Sequence, residues 1–180
     1  VIPDIVTGVT VNTVNNVSCN GGTDGKAWAA ATNGQAPYTY EWSNTTLGDT
    51  LNNVAVGTYY LTVTDNLRCK VRDTIVITEP AVLTLTPAVN NALCNGQATG
   101  SADLMPAGGT APYTALWNDA NTDVIRQNMA AGNYTVTVTD DNGCSATQSF
   151  TITQPALSFY SMTQVACDSY TLNGTTYNAI

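Results

Sequence analysis

Shifting the sequence by 75 positions lays residues 19–80 onto 94–155 without a gap, and about 23 of the 62 aligned positions are identical. Chance would give a handful. Cys19-Asn20-Gly21 falls on Cys94-Asn95-Gly96, and Ala36-Pro37-Tyr38-Thr39 on Ala111-Pro112-Tyr113-Thr114. Trp42 falls on Trp117, and Thr62-Val63-Thr64-Asp65 on Thr137-Val138-Thr139-Asp140. Each copy closes with Ile-Thr-x-Pro, at Ile77 to Pro80 and again at Ile152 to Pro155. A self-similar period of this length means one small folded unit used twice, and it restricts what the chain can fold into more than any other feature.

Inside each copy the side chains alternate with period two. Tyr59, Leu61 and Val63 oppose Tyr60, Thr62 and Thr64; in the second copy Tyr134, Val136 and Val138 oppose Thr135, Thr137 and Thr139. That is the strand signature, and no helical period occurs. Strands are predicted near 9–14, 26–31, 38–43, 50–54, 58–65 and 70–78. In the second copy they fall near 82–86, 101–105, 113–117, 123–128, 133–140 and 145–153. Gly, Asn, Asp and Pro clusters separate them. With only 10% charged residues and abundant Thr, Asn, Val and Ala, the composition also suits strands and turns. The expected fold is all-β: tandem Ig-like β-sandwich repeats arranged as an elongated rod.

Two details favour the Ig-like topology. A Trp late in the third strand, Trp42 or Trp117, is the usual core plug. Gly57-x-Tyr59 and Gly132-x-Tyr134 resemble a tyrosine corner, whose phenol bonds back to the backbone. The antibody pattern would place a Cys two residues after that Tyr, where Leu61 and Val136 stand.

As a set, these motifs resemble the SprB repeat family of very large surface proteins in gliding and related Bacteroidota. The matching residues are Cys-Asn-Gly, Ala-Pro-Tyr-Thr followed by Trp, Gly-x-Tyr-x-Val-Thr-Val-Thr-Asp, Asn-Gly-Cys and Ile-Thr-x-Pro, spread over about residues 9–155. The first copy departs from the pattern at Asn66-Leu67-Arg68-Cys69, where the second has Asp141-Asn142-Gly143-Cys144. The resemblance implies export by the type IX route, display on the outer cell surface, and roles in adhesion, gliding or cell contact. It implies no catalytic residues.

The predicted division is residues 1–3 as the end of a preceding unit or linker, 4–80 as repeat 1, 81–155 as repeat 2, and 156–180 as the start of a third, different β unit. In that third stretch Asn173-Gly174 between Thr/Tyr runs reads as a hairpin turn. The joints carry Thr78-Glu79-Pro80 and Thr153-Gln154-Pro155 with no Gly/Ser spacer, so each last strand is expected to run straight into the next unit. No signal peptide or membrane-length apolar stretch is present, which suits a mature chain or a piece of a longer one.

Each complete copy holds two Cys separated by 50 residues, with no His and no Cys-x-x-Cys to make a metal site. The expected bridges are Cys19–Cys69 and Cys94–Cys144, each tying the start of a unit to the start of its last strand. Four free thiols are the blander reading. A Cys69–Cys94 bridge between units is disfavoured because it would not repeat along an array. Cys167 is left over, with its partner expected beyond residue 180.

Five basic residues against 13 acidic ones give a net charge of −8. Lys26, Arg68, Lys70, Arg72 and Arg126 are scattered, so nucleic acid and anionic membranes are unsuitable partners. With no His and no recurring pair of carboxylates, catalysis is not expected. No cofactor is expected; Asp140 and Asp141 are a weak Ca²⁺ candidate, against a plain turn role for the same residues. Trp28, which stands opposite Asp103, and Tyr60, opposite Thr135, should face water and are candidate surface contacts. Thr50 and Thr74, in Asp-Thr-aliphatic triplets, are candidate O-glycosylation sites.

The functional reading is a structural or adhesive repeat segment of a large secreted surface protein, acting as a disulfide-locked spacer. Its partners would be further repeats of the same chain, and glycans or host, prey or substratum surfaces. One alternative is a protomer segment of an extracellular filament of identical chains; another is a carbohydrate-binding accessory module.

Overall fold

The computed structural model describes residues 8–158 and 169–178, and all regular structure among them is β. In the first copy the strands are β1 (Gly8–Asn15), β2 (Gly25–Thr32), β3 (Thr39–Trp42), β4 (Thr50–Val54), β5 (Gly57–Thr64) and β6 (Lys70–Ile77). They form two antiparallel three-stranded sheets in the orders β1-β2-β4 and β3-β5-β6. Named by Ig convention these are the A-B-E and C-F-G sheets, so the strand order itself defines an Ig-like sandwich.

Alternation fills the space between the sheets. Ala27 and Ala29 of β2 and Leu51 and Val54 of β4 point inward from one side, and Trp42, Leu61, Val63, Ile75 and Ile77 from the other. Burying each large aliphatic side chain of this set contributes on the order of 2 kcal/mol. Trp42 is the central plug, and its indole N–H donates to the Gly48 carbonyl at 3.0 Å. Gly25 is required by close approach: a Cβ there would lie 2.7 Å from the Val54 carbonyl oxygen.

The second copy repeats this plan. Its strands are β7 (Thr84–Leu85), β8 (Ala88–Asn90), β9 (Gly100–Asp103), β10 (Pro106–Ala107), β11 (Thr114–Trp117), β12 (Ile125–Met129), β13 (Gly132–Thr139) and β14 (Ser145–Ile152). One sheet runs β12-β9-β8 with a β7–β10 pair beside it, and the other runs β11-β13-β14. A separate core gathers Leu104, Trp117, Met129, Val136, Val138 and Ile152. Trp117 donates its indole N–H to Asp123 at 2.8 Å. Where Leu51 fills the first core, the second copy has Arg126. Its guanidinium lies 5.1 Å from the Trp117 ring centre and 5.4 Å from that of Tyr134, and it forms a two-pronged ion pair with Asp119.

Both tyrosine corners form. Tyr59 donates its phenol to the Ala55 carbonyl at 3.0 Å, and Tyr134 to the Ala130 carbonyl at 3.0 Å. Leu61 and Val136, at the antibody cysteine positions, are fully buried in the two cores.

Three strand expectations need correction. The predicted strand at 82–86 is two short pieces, β7 and β8, interrupted at Pro87, which has no N–H for the ladder. The equivalent place in β1 is a bulge between Asn12 and Val14, so the first strand breaks at the same point in both copies. The second strand of this copy is likewise divided into β9 and β10, with Met105 between them at φ 44°. Nor does β6 run directly into the next unit: it ends at Ile77, and residues 78–83 precede β7.

Beyond residue 158 the described segment is a hairpin of β15 (Ser169–Leu172) and β16 (Thr175–Asn178). Asn173 and Gly174 both take positive φ, 51° and 78°, as a two-residue turn of the predicted kind requires. Cys167 lies outside the described residues.

Candidate functional site

The site is the joint between the copies, and it is built from two local structures that both copies possess. The first is the foot of a unit. Val17 donates its N–H to Thr78 O at 2.9 Å, which seats the chain after β1 beside the end of β6. Asn20 Nδ2 donates to Pro80 O at 3.1 Å, and Gly21 N to the Glu79 carboxylate at 2.6 Å. Asp24 accepts the Ser18 N–H at 3.0 Å, and hydrogen bonds from the Ser18 side chain and backbone hold its carboxyl below the ordinary range. These bonds fix Cys19 at the point where Pro80 leaves the unit.

The second structure is the head of a unit, the hairpin between its last two strands. Asp140 is buried there, with Oδ1 accepting from Asn142 N and Cys144 N and Oδ2 from Thr110 N, at 2.8 to 3.0 Å. Burial works to raise its pKa, but N–H groups of Thr110, Cys144, Asn142 and Gly143 outweigh that and hold it below 3.8. Asp65 takes the same place in the first copy, accepting from Cys69 N at 2.8 Å and Gln35 N at 3.4 Å.

Foot and head meet across the joint. Cys19 and Cys144 form a disulfide, with Cα atoms 5.6 Å apart, that links the first copy to the second. Asn142 Nδ2 donates to Ser18 O at 2.9 Å, and within the second copy Gly109 N holds the start of the unit through Ala81 O at 2.8 Å. Gly108, at φ +76°, lets the head press onto the connecting residues: a Cβ there would sit 2.0 Å from Val82 O. Any side chain at Gly108 would push the head of the second copy off the residues that lead into its own first strand.

The expected bridges Cys19–Cys69 and Cys94–Cys144 are therefore corrected to Cys19–Cys144, with Cys69 half-buried and Cys94 exposed as free thiols. The reason is strand direction. Cys69 precedes β6, whereas Cys19 follows Val17, which is bonded at the far end of β6. Eight residues of strand at a rise of about 3.3 Å put some 25 Å between them, against a ceiling of about 7 Å between bridged Cα atoms. Ala92 N bonds Thr153 O at 2.9 Å, so Cys94 and Cys144 are separated in the same way.

The other candidates fall into two pairs that the structure keeps apart. Trp28, 42% exposed, is the cross-strand partner of Thr50 on the outer face of the β1-β2-β4 sheet. Tyr60, 58% exposed, is the partner of Thr74 on the outer face of the β3-β5-β6 sheet. Directly opposed residues share a face, so each aromatic lies beside one candidate Thr. A shallow cleft around Tyr60 is lined by Glu41, Ser43, Thr62, Lys70 and Arg72. For Ca²⁺, Asp140 presents oxygens already aimed at backbone N–H groups, while Asp141 is exposed. Among the described residues no three His, Cys, Asp or Glu side chains cluster as metal ligands would.

Strand order, paired cores and tyrosine corners define two consecutive Ig-like β-sandwich units joined by a disulfide. Residues 11–47 and 86–122 each match the SprB repeat family, and the two matches are set apart by the same 75-residue offset. No curated protein matches the chain significantly. Among solved structures it is similar to the amphioxus IgVJ-C2 molecule, at 14% identity over 67% of this chain and 90% of that one, with a TM-score of 0.33. It is also similar to DIP-gamma IG1+IG2, at 9% identity over 85% and 100% of the two chains, with a TM-score of 0.36. A third likeness is to Down Syndrome Cell Adhesion Molecule isoform 1.30.30, N-terminal eight Ig domains, at 12% identity, 82% coverage of this chain and a TM-score of 0.35. The chain spans 25% of that molecule's length.

Proposed function

We propose that this chain is a repeat segment of a large secreted surface protein of the adhesin type, and that it works as a disulfide-locked spacer in adhesion, gliding or cell contact. The division into units 4–80 and 81–155, stacked end to end as a rod on the outer cell surface, is part of this reading. The SprB match supports a surface repeat protein. Among the described residues no helix is long and apolar enough to cross a membrane.

The observation that carries the mechanical reading is the Cys19–Cys144 bridge, whose partners are 125 residues apart in sequence. Tension applied along the chain enters at Cys19, passes through the bridge and leaves at Cys144. Residues 20–143, which hold most of both cores, lie outside that load path. Even if a core opened under load, the chain could not lengthen there. At about 3.4 Å per extended residue, the bridge withholds roughly 400 Å of length.

Single-molecule stretching from the two termini tests this. Under oxidising conditions only the residues outside the bridge should extend. Adding a reductant should release roughly 400 Å more contour length. Equal extension with and without reductant would remove the spacer reading.

A further inference from the structure

We infer that Cys94 and Cys69 are the two halves of a second joint of the same kind, Cys94 bonding to Cys69 of a second copy of this two-repeat segment seated after residue 155. The inference rests on the geometry of the joint and stands apart from the mechanical role proposed above.

Applied to the Cys19–Cys144 bond, the internal repeat supplies the first argument. That bond joins the foot cysteine of one unit to the head cysteine of the next. Cys94 is the foot cysteine of the second unit and Cys69 the head cysteine of the first. The frame that seats Cys19 is rebuilt around Cys94. Asn95 Nδ2 donates to Pro155 O at 2.9 Å, Gly96 N to Gln154 Oε1 at 2.8 Å, and Thr153 N to Asn91 Oδ1 at 2.9 Å. The frame that presents Cys144 is rebuilt around Cys69: Asn66 N bonds Gln35 O at 2.9 Å, just as Asp141 N bonds Thr110 O at 2.9 Å.

A second, independent observation lies in the residues beside the cysteines. At the formed joint Asn142 Nδ2 donates to the backbone carbonyl of Ser18. The counterpart of Asn142 in the first unit is Leu67, and the counterpart of Ser18 in the second is Leu93. Leu67 is 47% exposed and Leu93 78% exposed. The donor of that contact has become Leu67, and the residue that offers its carbonyl has become Leu93, so an apolar side chain flanks each free cysteine. Leu93 adjoins Cys94 and Leu67 stands two positions before Cys69, so the inferred joint would cover both exposed leucines. A contact between different surfaces of identical copies does not close on itself, so it propagates as an open chain.

The bond requires an oxidant, which oxidised glutathione supplies. Two protein thiols lose two protons and two electrons, a disulfide forms, and two glutathione thiols leave. Incubating the full chain with oxidised glutathione and mapping disulfide-linked peptides by mass spectrometry tests the inference. The expected product is an intermolecular Cys69–Cys94 peptide alongside an intact Cys19–Cys144 peptide, which reports that the fold is retained.

In a Cys167→Ser background, neither C69S nor C94S alone should form chains. A mixture of the two should give a one-to-one dimer through the remaining Cys94 and Cys69. Leu67→Asp should slow formation of that dimer roughly tenfold, the effect of losing a partly buried leucine contact. Symmetric Cys69–Cys69 or Cys94–Cys94 pairs in comparable yield, a Cys94–Cys167 bond, or no cross-link at all would each overturn the inference.

Discussion

Asp140 shows how one side chain can hold the geometry of a joint without touching the partner unit. Its carboxylate binds the N–H groups of Asn142, Cys144 and Thr110, which pins the hairpin that carries Cys144. Its folded pKa lies below the ordinary 3.8. A carboxyl depressed in the folded state contributes stability above its unfolded pKa, and that contribution is lost as pH falls through the lower folded value. Asp24 and Asp119 are shifted the same way, Asp24 by Ser18 and Asp119 by the Arg126 hydrogen bond. Acid should therefore weaken the fold only below about pH 4. Asp140→Asn, which would turn a donor amide towards backbone donors, should lower Tm at pH 7 and converge with the wild-type Tm near the acid end. Thermal melts by circular dichroism across that range check this; curves that stay parallel would refute it.

At the scale of elements, the tyrosine corners tie the turn entering β5 or β13 to its own strand. Tyr59→Phe removes the bond to Ala55 O, and Tyr134→Phe the bond to Ala130 O. Each substitution should cost about 1 kcal/mol, as expected for a partly buried hydrogen bond. The two corners sit in separate cores, so the double variant should lose the sum of the single losses, which urea titrations can measure. The elements also show how far the repeat tolerates change. Leu51 and Arg126 occupy equivalent positions, one as plain core and the other as a cation spread over Trp117 and Tyr134. The strand survives both because Leu51 is buried among apolar side chains, while the Arg126 guanidinium is accommodated on two aromatic faces.

At the scale of the whole molecule, the Cys19–Cys144 bridge couples two cores that would otherwise meet only through residues 78–83 and a few hydrogen bonds. Closing a loop of 125 residues removes unfolded-chain entropy equivalent to about 5 kcal/mol in the simplest account. Cys144→Ser should lower the melting temperature of both units. It should also resolve into two calorimetric transitions what the intact bridge makes one. A single unchanged transition would show that the bridge does not couple them.

Alternation and spacing alone carried most of the strands, the two-fold repetition, the Trp plugs, the tyrosine corners and the outward direction of Trp28 and Tyr60. Each depends on alternation or spacing within a few residues, and such patterns are written locally. The 50-residue Cys spacing within each copy pointed to bridges inside the units, and that was wrong. Which cysteines meet depends on which strand ends lie together: β1 finishes beside the end of β6, not beside its start, and this is decided only when the sheets pack. Non-repetition disfavours a Cys69–Cys94 bridge within one chain, yet a bridge between units does form, between Cys19 and Cys144. Only the tertiary structure decided the joint, because a disulfide reports a distance in space and residues 125 apart share no local pattern from which it could be read.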